Sequence, residues 1–362
     1  MALLKVIEQV IDALQWLIGP GKGKRERAYL ENGSRVLETL VAACNGKPIP
    51  VRSFSVEEIT LATNNKNSGR ALPRDPWHMG SLEGREISVK KYAKRNHVLT
   101  DMAISAKMRA HKNVLMLIGC CLETPIPLLV FESTQNGTLA DRIYAYDYVG
   151  TPLQRQPIGW QSRLNIVKDI AHAIAYLHHA FSKPIIHRDI NLRNIIFDQH
   201  DIPKLTGFSL SIPIPENETR VQAILFGTNG YTCPNHVATG WITEKADVYS
   251  FGMLLLELIT GQISSQLYIN AGVNDVLMAE EASFEQKVQA EWDNANECIR
   301  KCDINEIVDP AILAEGGGAC VKRQLQAVFD LAFTCLGYNP ELRPSMIDVS
   351  KKLRWIGRSS LP

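Results

Sequence analysis

The run His187-Arg188-Asp189-Ile190-Asn191-Leu192-Arg193-Asn194 puts a carboxylate and an amide on one short loop. Those groups at that spacing suit transfer of a phosphoryl group to a hydroxyl. Asp189 would position or deprotonate the acceptor, and Asn194 would ligate magnesium from the same loop. A histidine, arginine and aspartate in a row would by themselves be a weak signal.

The signal strengthens because partner motifs follow in a fixed order. Ile87-Ser88-Val89-Lys90 resembles the strand that carries a phosphate-binding lysine in protein kinases. Leu129-Val130-Phe131-Glu132 resembles the hinge entry, with Phe131 as gatekeeper. Gly227-Thr228-Asn229-Gly230-Tyr231 resembles the end of a plant-type activation segment. Asp247-Val248-Tyr249-Ser250-Phe251-Gly252 resembles the buried helix behind the catalytic loop, and Leu342-Arg343-Pro344 a late helical-lobe element. The resemblance to protein kinases covers about residues 66 to 356. It implies an α+β, bilobal fold with a small β-rich N-lobe and a larger helical C-lobe. It also implies a catalytic set of Lys90, Asp189 and Asn194, and a vestigial nucleotide site of Lys90, Asp101, Phe131 and Glu132. His187 is expected in the core and Asp247 as a cap on catalytic-loop N–H groups; Arg343 usually pairs with a carboxylate, but here Asn235 stands in place of that acid, which leaves a hydrogen bond at most or a different partner.

Several positions depart from that pattern. The metal-binding aspartate should stand 18 residues past Asp189, where the chain has Gly207-Phe208-Ser209. Glycine has no carboxylate, so Asn194 is left as a vestigial, neutral metal ligand. The phosphate-covering loop should fall near residues 69–76, which read GRALPRDP. Prolines 73 and 76 lack the N–H groups such a loop offers to phosphates. The partner of Lys90 should be a glutamate on a mobile helix. Asp101 is the best match, and its shorter side chain needs that helix drawn closer. A lysine usual two positions past the catalytic aspartate is Asn191, and the closing Ala-Pro-Glu reads Cys233-Pro234-Asn235. Phosphoryl transfer depends on positioning and charge neutralisation, and each missing group would cost roughly a hundredfold or more.

The elements that must hold these residues can be read from periodicity. Glu86–Lys90 and Leu128–Phe131 are strand candidates; helices are expected from about Thr100 to Arg109 and over the periodic stretch Leu164–His178. Leu3, Ile7, Val10, Leu14 and Leu17 recur at helical spacing before Gly19-Pro20-Gly21. A short basic stretch, Lys22 to Arg27, follows, then a helix from about Ser34 to Cys44. The expected organisation is an N-terminal helical extension over 1–50, which looks like an appendage, and a linker with a short helix over 51–65. The N-lobe then covers 66–132, the C-lobe 133–356 and a tail 357–362.

Composition bounds the function classes. The chain has 362 residues, 39 Lys plus Arg against 38 Asp plus Glu, and 45% hydrophobic residues. It can bury a core, and its near-neutral charge argues against a dedicated nucleic-acid binder. No apolar run reaches the ~18 residues of a membrane span. The start Met-Ala-Leu-Leu is a poor secretory signal, and Ala2 excludes N-myristoylation. The eight cysteines lack a zinc pattern and are read as reduced.

A closer resemblance rests on Asn32-Gly33-Ser34, on Cys44-Asn45-Gly46-Lys47 with Pro48 and Pro50, and on Arg52-Ser53-Phe54-Ser55. Glu58-Ile59, Ala62-Thr63-Asn64-Asn65, the stretch His111 to Glu123 and the altered Gly207-Phe208-Ser209 add to it. These resemble the ZRK family of plant receptor-like cytoplasmic pseudokinases, related to wall-associated receptor-like kinases, over about residues 28 to 356. The resemblance implies a catalytically impaired adaptor or decoy in plant innate immunity. It would bridge a coiled-coil NLR immune receptor and receptor-like cytoplasmic kinases modified by bacterial effectors. No cofactor would be required, and ATP with magnesium would bind weakly. The place would be the cytoplasm, with peripheral plasma-membrane association through partners. Two other readings are a residual Ser/Thr kinase and a nucleotide-gated binding module without chemistry.

Overall fold

The structure is a computed structural model that describes residues 22–44, 51–64, 77–144, 157–264, 266–267, 283–314 and 318–358. The amphipathic stripe at 2–18 and the proline-containing loop at 69–76 lie outside the described residues. Two compact units emerge, one formed by residues 1–136 with 198–201, the other by 137–197 with 202–362.

The first unit is built on a five-stranded sheet in the order β1-β4-β5-β3-β2. Its strands are β1 (Arg52–Ser53), β2 (Trp77–Leu82), β3 (Arg85–Lys90), β4 (Leu117–Cys121) and β5 (Leu128–Glu132). β1 runs parallel to β4, and the other neighbours are antiparallel. Glu83 and Gly84 join β2 to β3 with φ of 52° and 76°, the left-handed pair that a tight two-residue hairpin requires. The period of two splits β3 between faces. Ile87 and Val89 pack with Phe54, Ile59, Ala62 and Val130 under helix α2 (Val56–Asn64). Ser55 and Glu58 cap α2 reciprocally, with Glu58 N–H donating to Ser55 Oγ and Ser55 N–H to Glu58 Oε2.

On the other face, Leu129 and Phe131 join Val98 and Met102 of helix α3 (Arg95–Met108). This helix begins a turn earlier than the expected Thr100, because Val98 already belongs to the buried stripe that Met102 and Ala106 continue. The N-terminal helix α1 also begins earlier, at Lys22, and runs to Cys44. The basic stretch forms its first turns, where Arg25 pairs with Glu57. α1 is more than an appendage. Asn32 Nδ2 donates to the carbonyls of Leu122 and Thr124 at 2.8 and 2.9 Å, and Val36 enters the α3 core.

The second unit is mainly helical. α4 (Leu139–Ile143) opens with a capping box between Thr138 and Asp141. α5 (Trp160–His179) buries Leu164, Val167, Ile170, Ile174 and Leu177 along one stripe. α7 (Lys245–Thr260) is buried on nearly all sides and crosses α9 (Ala319–Cys335) closely. Gly252 permits that approach, since a Cβ there would stand 2.9 Å from Cys335 Cβ and 3.0 Å from the Ala332 carbonyl. Between α4 and α7 lie the short strand pairs β6 (Ile185–Ile186) with β9 (Ile212–Pro213), and β7 (Ile195–Phe197) with β8 (Pro203–Leu205). β10 (Val221–Gln222) pairs with β11 (Trp241–Ile242), which follows α6 (Pro234–Thr239). Further on lie α8 (Phe284–Lys301), two single-turn helices over Ile304–Ile307 and Pro310–Leu313, and α10 (Met346–Arg358).

Candidate functional site

In the first unit, Lys90 ends β3 and points to the α3 side of the sheet. Its Nζ donates to Asp101 Oδ2 at 2.8 Å. Asp101 is fully buried and reaches Lys90 despite its shorter side chain. The hydroxyls of Tyr92 and Ser105 also donate to it, at 2.8 and 3.0 Å. Burial and the Asp101 charge push the Tyr92 phenol well above its ordinary value, so it stays a donor. The ammonium further lies 5.0 Å from the Tyr92 ring and 5.3 Å from the Trp77 ring. Phe131 is buried opposite Ser88 and meets Trp77 edge to face at 5.5 Å. The side chain of Glu132 is directed elsewhere: its Oε1 accepts from Met116 N–H at 2.9 Å.

In the second unit, the loop before β7 brings Asp189 and Asn194 together. Asn194 Nδ2 donates to Asp189 Oδ2 at 2.7 Å and to its carbonyl at 2.8 Å. Asp189 Oδ1 accepts from Asn191 Nδ2 at 3.0 Å and from Thr228 Oγ1 at 2.6 Å. Asn191 Oδ1 accepts from Arg193 and Asn194 N–H, capping the short turn that carries Asn194. Both oxygens of Asp189 are thus held by neutral donors. Thr228 and Asn191 were not foreseen in that role; the Gly227-Thr228 signal for the segment end was the available clue.

Gly207 follows β8 with φ of 88°. A Cβ built there would stand 2.6 Å from both Cγ and Oδ1 of Asn194. The volume a side chain at 207 would occupy is filled by the Asn194 amide. Phe208 beside it is buried and lies 5.0 Å from the His187 ring. His187 is itself in the core, with Nδ1 accepting from Asp189 N–H at 3.2 Å.

Asp247 on α7 fixes this loop from below. It accepts from His187 N–H at 2.7 Å and Arg188 N–H at 2.9 Å, and from His178 Nε2 at 2.8 Å. Burial alone would raise its pKa, but the His178 hydrogen bond and neighbouring charge hold it below the ordinary value. Arg188 is held at φ of 71°. Its guanidinium donates to the Leu210 and Ile224 carbonyls, and burial lowers its pKa.

Arg343 is buried without an acid among its hydrogen-bond partners. Its donors go to Asn235 Oδ1 at 3.0 Å, Cys233 Sγ at 2.9 Å and the carbonyls of Gly337, Lys245 and Tyr338. A second buried node, Glu257 of α7, accepts from the hydroxyls of Tyr144 and Tyr231 and from Ser264 N–H. Burial raises its pKa. This node ties the end of the 207–235 segment to the helical core.

Among the described residues, no helix is long and apolar enough to cross a membrane. The cysteines described are free thiols.

The protein kinase domain model matches residues 83–356. Serine/threonine-protein kinase ZRK1 of Arabidopsis thaliana is 36% identical over 93% of this chain and 94% of its own length. The non-functional pseudokinase ZED1 of the same plant is 34% identical over 93% of this chain and 98% of its own. Wall-associated receptor kinase-like 4, also of Arabidopsis, is 33% identical over 94% of this chain but only 42% of its own length. The relatives therefore include proteins named as kinases and proteins named as pseudokinases.

Proposed function

The chain belongs to the protein kinase domain family and, within it, to the ZRK family of plant receptor-like kinases and pseudokinases, and from that premise we propose that it is a pseudokinase adaptor. The observation that carries this reading is the pair Gly207 and Asn194. The metal carboxylate is missing and its volume is taken by an amide. These residues do not fit a catalytic magnesium. Asn194 Nδ2 donates to Asp189, so the amide could offer a metal only its neutral Oδ1, and no carboxylate at 207 joins it; the Asp189 oxygens already accept from Asn191 and Thr228. Nucleotide binding is proposed to be weak and not required. Lys90 keeps a phosphate-holding charge, but the sequence at 69–76 offers prolines where amide donors are needed.

The adaptor role is the part the family resemblance suggests: a bridge between a coiled-coil NLR receptor and effector-modified receptor-like cytoplasmic kinases, in the cytoplasm and at the plasma membrane through those partners. Purification from plant tissue tests it. An NLR and a cytoplasmic kinase should co-purify with the chain, and absence of both would refute the bridge. The catalytic half is tested with radiolabelled ATP, where incorporation should not exceed that of Asp189→Ala.

One observation favours the alternative of a residual Ser/Thr kinase. The Lys90–Asp101 pair is formed at 2.8 Å, as an active site would require. Labelling that disappears in both Lys90→Ala and Asp189→Ala would decide for it.

A further inference from the structure

Helix α10 has two unlike sides. Met346, Val349, Ser350, Leu353 and Ile356 are buried, and their spacing of three and four places them on one stripe. The opposite stripe is Ile347, Lys351, Trp355 and Arg358, flanked by Lys352 and Arg354, and every one of these is exposed. Trp355 exposes 60% of its surface. The Lys352 ammonium lies 4.6 Å from its ring. The single acid of the helix, Asp348, is exposed on the same side, where it accepts from Ser345 Oγ at 2.6 Å and neighbours Lys351, so Lys351, Lys352, Arg354 and Arg358 outnumber it four to one. Because the whole chain is nearly neutral, with 39 basic against 38 acidic residues, this face is a local asymmetry.

We infer that the outer face of α10 docks on an anionic phospholipid surface. An indole standing among ammonium and guanidinium groups matches the headgroup layer, which takes the ring at its apolar boundary and the cations at its phosphates. The stems of Lys351, Lys352 and Arg354 can lie along the same boundary while their charges reach outward. From Ile347 to Arg358 the helix spans about 16 Å, so it meets the surface lying flat. A protein partner of the usual kind would seat the tryptophan in a pocket surrounded by apolar contacts. Here the Lys352 ammonium lies against the ring, and Lys351 and Arg358 stand one turn away on the same stripe. Charge complementarity therefore selects the bilayer.

The test uses the purified full chain and flotation with vesicles of phosphatidylcholine alone or with about a third phosphatidylserine. Expected is recovery with the anionic vesicles only, weakened by added salt. Lys351→Glu, Lys352→Glu and Arg358→Glu together should cut recovery by about tenfold or more. Trp355→Phe should lose the quenching of tryptophan emission by brominated lipid. Unchanged melting curves establish that the variants fold, and a chain lacking residues 1–21 should still float, which separates this face from the amphipathic N-terminus. Equal recovery with neutral and anionic vesicles, or flotation of the triple reversal at the level of the parent, overturns the proposal.

Discussion

Gly207 and Asn194 compete for one volume, and that competition decides what a simple reversion can do. Gly207→Asp supplies the missing carboxylate but drives its Cβ against an amide 2.6 Å away, at a φ of 88° that side chains rarely adopt. The variant should lose about 1–3 kcal/mol of stability and gain no phosphotransfer. Gly207→Ala should lose a similar amount, and Asn194→Ala should recover part of it in the double variant, which melting curves of the four proteins would read. Additive losses would show that the two residues do not share the space. Arg343 offers the opposite experiment. Its guanidinium is buried among neutral acceptors, with Asn235 Oδ1 3.0 Å from one nitrogen. Asn235→Glu would replace a neutral acceptor by a charged one, and should raise stability by about 1–2 kcal/mol. A fall in melting temperature would mean that the longer acid cannot reach without disturbing Cys233.

Elements carry a different kind of prediction, because a strand or helix fixes several side chains at once. His78 sits on β2 opposite Val89, and burial with the nearby Lys91 charge lowers its pKa to about 4. A histidine held neutral in the folded state makes the fold most stable above the ordinary value of 6.5. That stability should fall as the pH drops from 6.5 towards 4, because the unfolded chain takes up the proton first. In His78→Gln the slope of melting temperature against pH over that window should flatten, and an unchanged slope would assign the titration to other groups. In α1, Val36→Ala should destabilise the first unit by about 1–3 kcal/mol, read by hydrogen exchange in α3. Its legibility was partial. The apolar positions after Ser34 were visible, but the first turns are glycine-containing and basic, and nothing local reveals that Asn32 would clip two distant carbonyls. The sheet and α5 were legible because a period of two or of 3.6 survives in β3, β5 and Leu164–His178. The loop residues at 187–194 were legible through spacing. Tyr92, Ser105 and Thr228, which hold the two carboxylates, were not, since a lone hydroxyl has no pattern.

For the molecule as a whole, an adaptor that holds two proteins at once needs two separate surfaces. The segment from Gly207 to Asn235 is a candidate for one of them, because its ends are fixed and its middle is not buried. Ile214 N–H donates to the Pro184 carbonyl at 2.9 Å and its side chain is buried. At the other end, Val221–Gln222 pairs with β11, and Tyr231 is tied to Glu257. Between these ends the chain is exposed from Pro215 to Arg220. Glu216 lies 3.8 Å from Lys183, and Arg220 stacks 4.4 Å over the Trp241 ring rather than pairing with its acidic neighbours. Beyond β10, Ile224, Leu225 and Phe226 are exposed in succession. Under the proposed function, this charged run beside an apolar one would meet the kinase partner, and the NLR would use another part of the same unit. Replacing Glu216, Glu218 and Arg220 together by alanine removes surface contacts and one cation–π stack, a change that should cost under about 1 kcal/mol of stability. The proposed function predicts that this variant loses the effector-modified kinase and keeps the NLR, measured by paired pull-downs against the parent protein. Retention of both partners by a variant with an unchanged melting curve would remove this segment from the interface.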